Sequence, residues 1–153
     1  MKVEDEKEER NLSLKEMSQR ASAIQEFVTS ESGKDLIQGY KRALNILIAE
    51  EKKDGVEYSL DTKFELLEQE QEVKLHIKLN EIDKKVISDL ENEKPKNALL
   101  ELATLRQAID KFFDTVQINS ENPIIRRNRL CLLNQIKEVM HRVADFSKMD
   151  GDG

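Results

Sequence analysis

The sequence is short of the residues that make tight turns, cross-links and metal sites. It contains only five glycines and two prolines in 153 residues, which leaves little material for the turns that join β-strands. Its single cysteine, Cys131, excludes an internal disulfide and a cysteine-based zinc site, so a reducing cytoplasm is the expected compartment. No apolar run approaches the roughly 20 residues that a membrane-spanning helix needs. The first ten residues are charged throughout and do not resemble the apolar core of a signal peptide.

The sequence motifs of common catalytic sites are also missing. There is neither a glycine-rich phosphate-binding loop nor a G-x-S-x-G nucleophile motif. His76 and His141 stand on separate predicted helices without the partners that a metal ligand needs, and we interpret both as structural. Cys131 is predicted to lie away from the apolar side of its helix, with no histidine to activate it. The sequence therefore predicts a module with no catalytic residue and no metal site.

Charged residues and strong helix formers are abundant instead. Charged residues make up 37% of the sequence and hydrophobic residues 38%, a combination that favours long helices joined by short loops. A chain of this length is the usual size of one domain with its own core. The net charge of −6 argues against binding a polyanion over the whole surface, so a nucleic-acid contact would need a local basic region.

Hydrophobic periodicity predicts an all-α bundle of about five amphipathic helices. We expect a flexible N-terminal tail over 1–12, a helical domain over 13–148 and a C-terminal tail over 149–153. Capping-box pairs, S-x-x-E and T-x-x-E, mark the starts of the first and third helices, and Asn-Pro marks the start of the last. The first four predicted helices span about 13–28, 34–53, 62–93 and 96–116. The fifth begins at about 122.

Apolar residues at spacings of three and four predict which side of each helix is buried. The first helix has the stripe Leu14, Met17, Ala21, Ile24 and Val28. Phe112, Phe113 and Tyr40 fall on such stripes and are predicted to be core rather than base-stacking residues. Tyr58, in the loop after the second helix, is the one aromatic that we expect to be free to stack on a base.

The second helix has a polar side that could contact single-stranded RNA. Its members fall together opposite the apolar stripe, and they are Gln38, Lys41, Arg42 and Asn45. Arginine and lysine suit phosphates, whereas arginine, asparagine and glutamine can also bond to exposed base edges. An ordinary solvated helix face would show the same periodicity, so both interpretations stay open at this point.

The last helix is locally basic within an acidic protein. From Pro123 to Lys148 there are six lysines and arginines against two acidic residues. Arg127 is predicted to point away from the core and Arg126 to flank it, which makes both candidate RNA contacts. Arg129 falls on the apolar side and is predicted to be structural, with a carboxylate partner such as Asp110 or Asp114.

Three strings of residues resemble a known family. They are GYKRALNIL at 39–47, IDKFFDTVQIN at 109–119 and RRNRLCLL at 126–133. With their flanking residues they cover about half of the chain, in order, and they resemble the C-terminal region of bacterial glycyl-tRNA synthetase β subunits. The stretch over 56–97 is similar to that family only in its helical character.

The resemblance implies an all-α anticodon-binding domain of the DALR type. Pro123 to Arg126 read P-I-I-R where that domain's name has D-A-L-R. The resemblance further implies that the chain is a non-catalytic part of a cytoplasmic enzyme that attaches glycine to tRNA-Gly. The α subunit and the rest of the β subunit would be its partners. ATP and Mg²⁺ would serve the whole enzyme, and neither DNA nor a membrane is an expected partner. Two alternatives remain: the related domain of arginyl-tRNA synthetase, and a helical protein-interaction module without RNA binding.

Overall fold

The protein is described by a computed structural model over residues 2–149, with side chains described from Leu14 onward. Two short 3₁₀ turns accompany its helices, at Phe64–Leu66 and Phe146–Lys148. The described part of the chain has no β-strand, which confirms the all-α prediction. None of its helices is both long and apolar enough to span a membrane. The helices are α1 (Lys2–Thr29), α2 (Glu31–Asp54), α3 (Glu70–Glu91), α4 (Pro95–Ala103), α5 (Leu105–Thr115) and α6 (Pro123–His141).

One hydrophobic core lies between the helices. Helix α2 packs on α1, α5 and α6, while α3 packs on α4, α5 and α6. The core residues come from all six helices, from the last 3₁₀ turn and from loop positions such as Tyr58 and Ile118. The largest of the fully buried side chains are Tyr40, Phe112, Phe146, Leu36, Ile37 and Leu47. The predicted core positions of Tyr40 and Phe112 are therefore confirmed.

Helices α2 and α6 begin with side chains that cap their free N–H groups. The Ser30 hydroxyl accepts a bond from the Gly33 amide, and Gly55, whose φ of 69° is left-handed, caps the C-terminal end of α2. The Asn122 side chain accepts bonds from the amides of Ile124 and Ile125, ahead of a proline at the first helical position. The start predicted for α6 is confirmed.

Helix α1 differs from its prediction in both extent and buried side. It runs from Lys2 instead of beginning at Ser13, so the predicted capping box does not start it. Leu14 and Met17 are 63% and 64% exposed, whereas the residues that enter the core are Ala23 and Phe27. Periodicity identifies a helix face but not whether a neighbour covers it. The division into a tail and a domain stays a prediction, and 150–153 lie outside the described residues.

The predicted third helix begins eight residues later than expected, at Glu70 instead of Thr62. Its cap is built around Glu72, whose carboxylate accepts bonds from the amides of Gln69, at 2.8 Å, and Glu68, at 3.2 Å. The hydroxyl of Thr62 is buried and caps nothing. The Thr62 prediction was wrong because Glu72 captures these amides and starts the helix further on.

The predicted fourth helix is two helices, α4 and α5, which meet at Thr104. The hydroxyl and the amide of Thr104 both bond to the carbonyl oxygen of Glu101, at 2.6 and 3.1 Å. Such a local bond competes with the α-helical bond four residues back. Apolar spacing continues across the break, which explains why the sequence reads as one helix.

Candidate nucleic-acid interface

The four polar residues predicted on α2 share one surface. They line a groove of about 630 Å³ along the helix. Gln38, Arg42 and Asn45 are exposed, while Lys41 is half-buried and donates a 2.8 Å bond to the carbonyl of Met149. The groove therefore presents two amides and one guanidinium to solvent, with an ammonium group already bound to the backbone.

The guanidinium of Arg42 lies over an aromatic ring. Its central carbon is 4.5 Å from the centroid of the half-buried Phe113, which packs edge-on against Phe112. Arg42 makes no ion pair with any described residue, so its N–H groups are available. A cation–π contact orients the group without using its donors.

Arg126 has four partners inside the protein. Its guanidinium donates to Glu50 at 2.5 Å, to Asp54 at 2.7 Å, to Asn119 at 3.0 Å and to the Tyr58 hydroxyl at 3.2 Å. Hydrogen bonds from Tyr58 and Arg126 lower the pKa of Asp54. These bonds tie the first turn of α6 to the end of α2 and to the following loop. Arg126 is thus engaged in holding the fold at this point.

Tyr58 is not free to stack on a base, and that prediction was wrong. It is only 8% exposed, and its hydroxyl donates a 2.6 Å bond to Asp54. Its amide donates to the carboxylate of Glu51, which turns the loop back onto α2. The exposed aromatic of this region is Phe64, at 58%.

The other two arginines of α6 take the positions that periodicity predicts. Arg127 is exposed, and Arg129 is buried at 4%. The Arg129 guanidinium donates to the fully buried Glu72 at 2.9 Å, to Glu68 at 3.2 Å and to the Gln117 carbonyl at 2.6 Å. The structural role of Arg129 is confirmed.

The carboxylate partners predicted for Arg129 were wrong. Asp110 and Asp114 on α5 are both exposed, and Asp110 pairs with Arg106 one turn earlier. The partner Glu72 belongs to the first turn of α3, which packs beside α6. Sequence periodicity predicts that an arginine faces the core, but it does not predict which helix packs opposite that arginine.

The six candidate residues do not form one patch, because α2 and α6 run antiparallel. The Tyr40 hydroxyl meets His141 at the end of α6, whereas Asp54 meets Arg126 at its start. From Arg42 to Asp54 is twelve residues, or roughly 18 Å along a helix that rises 1.5 Å per residue. The α2 groove and the arginines of α6 are therefore separate surfaces.

A second concave surface lies between α3, α6 and the loop after α2. This cleft has a volume of about 310 Å³. His76, Asn80 and Gln135 line it and bond to one another: His76 Nδ1 to Gln135 Oε1 at 2.9 Å, Gln135 Nε2 to Asn80 Oδ1 at 3.0 Å, and Asn80 Nδ2 to His76 Nε2 at 3.3 Å. Sequence reasoning missed this cleft. Its one local signal is the i, i+4 spacing of His76 and Asn80, which is too common to stand out.

Cys131 lines this cleft and is 4% exposed, so the prediction that it lies away from the core was wrong. Burial raises the pKa of its thiol, which keeps it protonated. His141 bonds to Tyr40, and burial lowers its pKa. Within the described residues, no group of histidine, cysteine and acidic side chains is arranged to hold a metal ion.

The chain is similar to known proteins over most of its length. A family model described as "DALR anticodon binding domain" matches residues 36–146. The glycine–tRNA ligase β subunit of Ruegeria sp. strain TM1040 is 44% identical over 132 residues, or 86% of this chain. The β subunits of Paracoccus denitrificans and Rhodospirillum centenum are 40% and 41% identical over the same share. The chain spans only 19% of the length of these relatives.

Proposed function

Because the chain belongs to the DALR anticodon binding domain family, we propose that it recognises the anticodon arm of tRNA-Gly as part of a glycine–tRNA ligase β subunit. The observation that carries the proposal is the 44% identity to such a subunit across 86% of this chain. The enzyme would attach glycine to tRNA with ATP and Mg²⁺, whose binding residues would lie in the α subunit and outside this chain. The rest of the β subunit and the α subunit would be its protein partners.

The α2 groove is the first proposed contact surface. Arg42, which lies over the ring of Phe113, can donate two N–H groups to a phosphate or to a base edge. Gln38 and Asn45 each offer a donor and an acceptor, which suits the edges of unstacked bases. Lys41 adds positive charge beside them.

Arg127 is the second proposed contact, and it suits the RNA backbone. It is exposed on the first turns of α6, with no base-reading amide next to it in the helix face. Its charge opposes the helix dipole, so it does not stabilise the helix end. Arg126 is proposed to position this turn through its bonds to Glu50 and Asp54.

The test is a mobility-shift titration of the chain with tRNA-Gly and with an unrelated tRNA, over a range of salt concentrations. Selective binding of tRNA-Gly is expected. Arg127→Ala should weaken binding and flatten the log–log salt dependence by roughly 0.7 to 0.9, the loss of about one phosphate contact. Arg42→Ala and Gln38→Ala should reduce selectivity between the two tRNAs more than they change that slope.

Arg20→Ala is the matched control, because Arg20 is an exposed arginine on α1. It should bind tRNA-Gly like the parent chain. Equal affinity of the parent for tRNA-Gly and for the unrelated tRNA would overturn the proposed function. Competition by an arginine tRNA as effective as by tRNA-Gly would favour the arginyl-type alternative instead.

A further inference from the structure

We infer that the cleft between α3 and α6 is a pocket for one unstacked nucleobase of single-stranded RNA. It is a different surface from the α2 groove, and the inference rests on the proposed function, since it presumes that the chain binds tRNA. The cleft's volume of about 310 Å³ lies at the lower end of small-ligand sites. Four features favour a base over other occupants: its polar wall, its charge, an unpaired hydroxyl and an exposed aromatic ring.

The polar wall is a pre-oriented set of donors and acceptors. His76, Asn80 and Gln135 form a closed ring of hydrogen bonds, in which each amide uses one N–H and one lone pair. The second N–H of each amide and the second lone pair of each carbonyl remain for a ligand. Side chains that hold one another in place lose little conformational entropy when a ligand binds. Such a set of side chains is suited to hydrogen-bond the planar edge of a nucleobase.

The charge of the cleft disfavours a phosphate. Asp61, Asp83 and Glu138 line it against the single guanidinium of Arg142, which already pairs with Asp83 at 2.9 Å. Glu138 accepts a bond from Asn134, so Asp61 is the exposed carboxylate left to accept from a ligand. A carboxylate accepts readily from the exocyclic amine of a base. We therefore expect a base that carries an amine, with its phosphate outside the cleft.

A buried hydroxyl in the cleft also lacks a partner. Thr62 lines the cleft, and its Oγ1 is the one buried side-chain oxygen or nitrogen without a hydrogen bond among the described residues. An unpaired buried hydroxyl is unfavourable, and a polar ligand in the cleft would satisfy it.

An aromatic ring and a cation stand at the edge of the cleft. Phe64 is 58% exposed, and its ring centroid lies 6.3 Å from that of His76. An exposed ring beside a base-sized cleft is the arrangement by which proteins stack unpaired bases. Arg127 stands one helical turn before Cys131, which lines the cleft, so it can meet the phosphate of the inserted nucleotide.

The test measures binding of a tRNA-Gly transcript to the parent chain and to Phe64→Ala. Loss of one base stack should weaken binding roughly fivefold or more. Ile77→Ala is the matched control, because Ile77 is a 53% exposed apolar residue next to His76 that does not line the cleft. It should bind like the parent. Gln135→Ala should reduce discrimination between transcripts that differ in one anticodon-loop base.

Two further measurements locate the base itself. A transcript with an abasic nucleotide at the inserted position should bind the parent and Phe64→Ala with equal affinity, since the stacking partner is gone from both. The chain has no tryptophan, so Phe64→Trp adds a single fluorophore whose emission a stacked base should quench. Leu100→Trp, at a 68% exposed position on α4, should not be quenched.

The outcomes separate this inference from the proposed function. If the parent selects tRNA-Gly, Phe64→Ala binds with parental affinity and Phe64→Trp is not quenched, the nucleobase pocket is overturned and the proposed function stands. If the parent shows no selectivity for tRNA-Gly, the proposed function is overturned and this inference with it. If Phe64→Ala binds the intact transcript more weakly than the parent does, and this difference disappears with the abasic transcript, both the pocket and the proposed function are supported.

Discussion

At the scale of single residues, three arginines within one turn of α6 have different roles because their surroundings differ. Arg126 is tied to carboxylates of α2, Arg127 is exposed, and Arg129 is buried against Glu72. A buried arginine is tolerated only with a well-placed carboxylate, and that carboxylate needs the arginine in return. The two members of such a pair are therefore expected to be mutually dependent.

Replacement of Arg129 should destabilise the fold much more than replacement of Arg127. Arg129→Ala leaves the fully buried carboxylate of Glu72 without its cation, which should lower the free energy of unfolding by about 3 to 5 kcal/mol. Arg127→Ala should change it by less than about 0.5 kcal/mol. Urea denaturation followed by circular dichroism measures both. Similar losses at the two positions would contradict the assigned roles.

The two tyrosines should ionise only in strongly alkaline solution. Burial, reinforced by the Asp145 carboxylate, raises the pKa of Tyr40 to about 12, and the bond to Asp54 raises the pKa of Tyr58. In the unfolded chain both tyrosines should have a pKa of about 10. An acid with a raised pKa stabilises the fold fully below its unfolded pKa, and that contribution is lost as the pH rises towards the folded value.

Stability should therefore fall as the pH rises from about 10 to about 12. Tyrosinate absorbance of the native chain measures the ionisation, and thermal melts at each pH measure the stability. Tyr58→Phe isolates the signal of Tyr40, since the sequence has only two tyrosines. A native titration centred at the ordinary tyrosine value would be inconsistent with the burial of Tyr40.

At the scale of helices, the chain breaks where a side chain or a close backbone contact requires it. Helices α1 and α2 are joined through Ser30 alone, whose hydroxyl and amide both bond to the carbonyl oxygen of Phe27. This brings Gly33 against the end of α1. A Cβ atom at Gly33 would lie 1.8 Å from that same oxygen.

Gly33→Ala should accordingly separate the ends of α1 and α2. The clash is with backbone and not with a flexible side chain, so the expected loss is about 1 to 3 kcal/mol or more, despite the better helix propensity of alanine. Ser32→Ala, at an exposed neighbouring position, is the control and should be nearly neutral. Thermal denaturation of the two variants checks this, and a Gly33→Ala chain as stable as the control would show that the junction can relax.

At the scale of the whole molecule, the protein combines a net charge of −6 with separate polar surfaces. The α2 groove and Arg127 are at opposite ends of the antiparallel α2–α6 pair. Along the axis of α2, Arg42 and the start of α6 are roughly 18 Å apart. Because the proposed RNA binding has to overcome the negative charge of the rest of the surface, it should depend on local contacts and be sensitive to salt.

The isolated chain should not catalyse ATP–pyrophosphate exchange in the presence of glycine. Its sequence has no glycine-rich phosphate loop, and the α3–α6 cleft is lined by Asp61, Asp83 and Glu138, whose carboxylates disfavour a triphosphate. The assay is exchange of labelled pyrophosphate into ATP, with an active glycine–tRNA ligase as the positive control. Exchange by the highly purified chain would contradict its description as a recognition module.

The sequence by itself determined the helical class, most of the core and which arginine of α6 is buried. These follow from the 3.6-residue period and from caps such as Asn122, which depend on residues close in the chain. Tertiary structure decided which helix supplies the partner of Arg129, that Tyr58 is buried while Phe64 is exposed, and that His76 and Gln135 meet across a cleft. Those contacts join residues more than fifty positions apart, or depend on what covers a loop. Local periodicity contains no information about which helix lies opposite, so only packing could settle them.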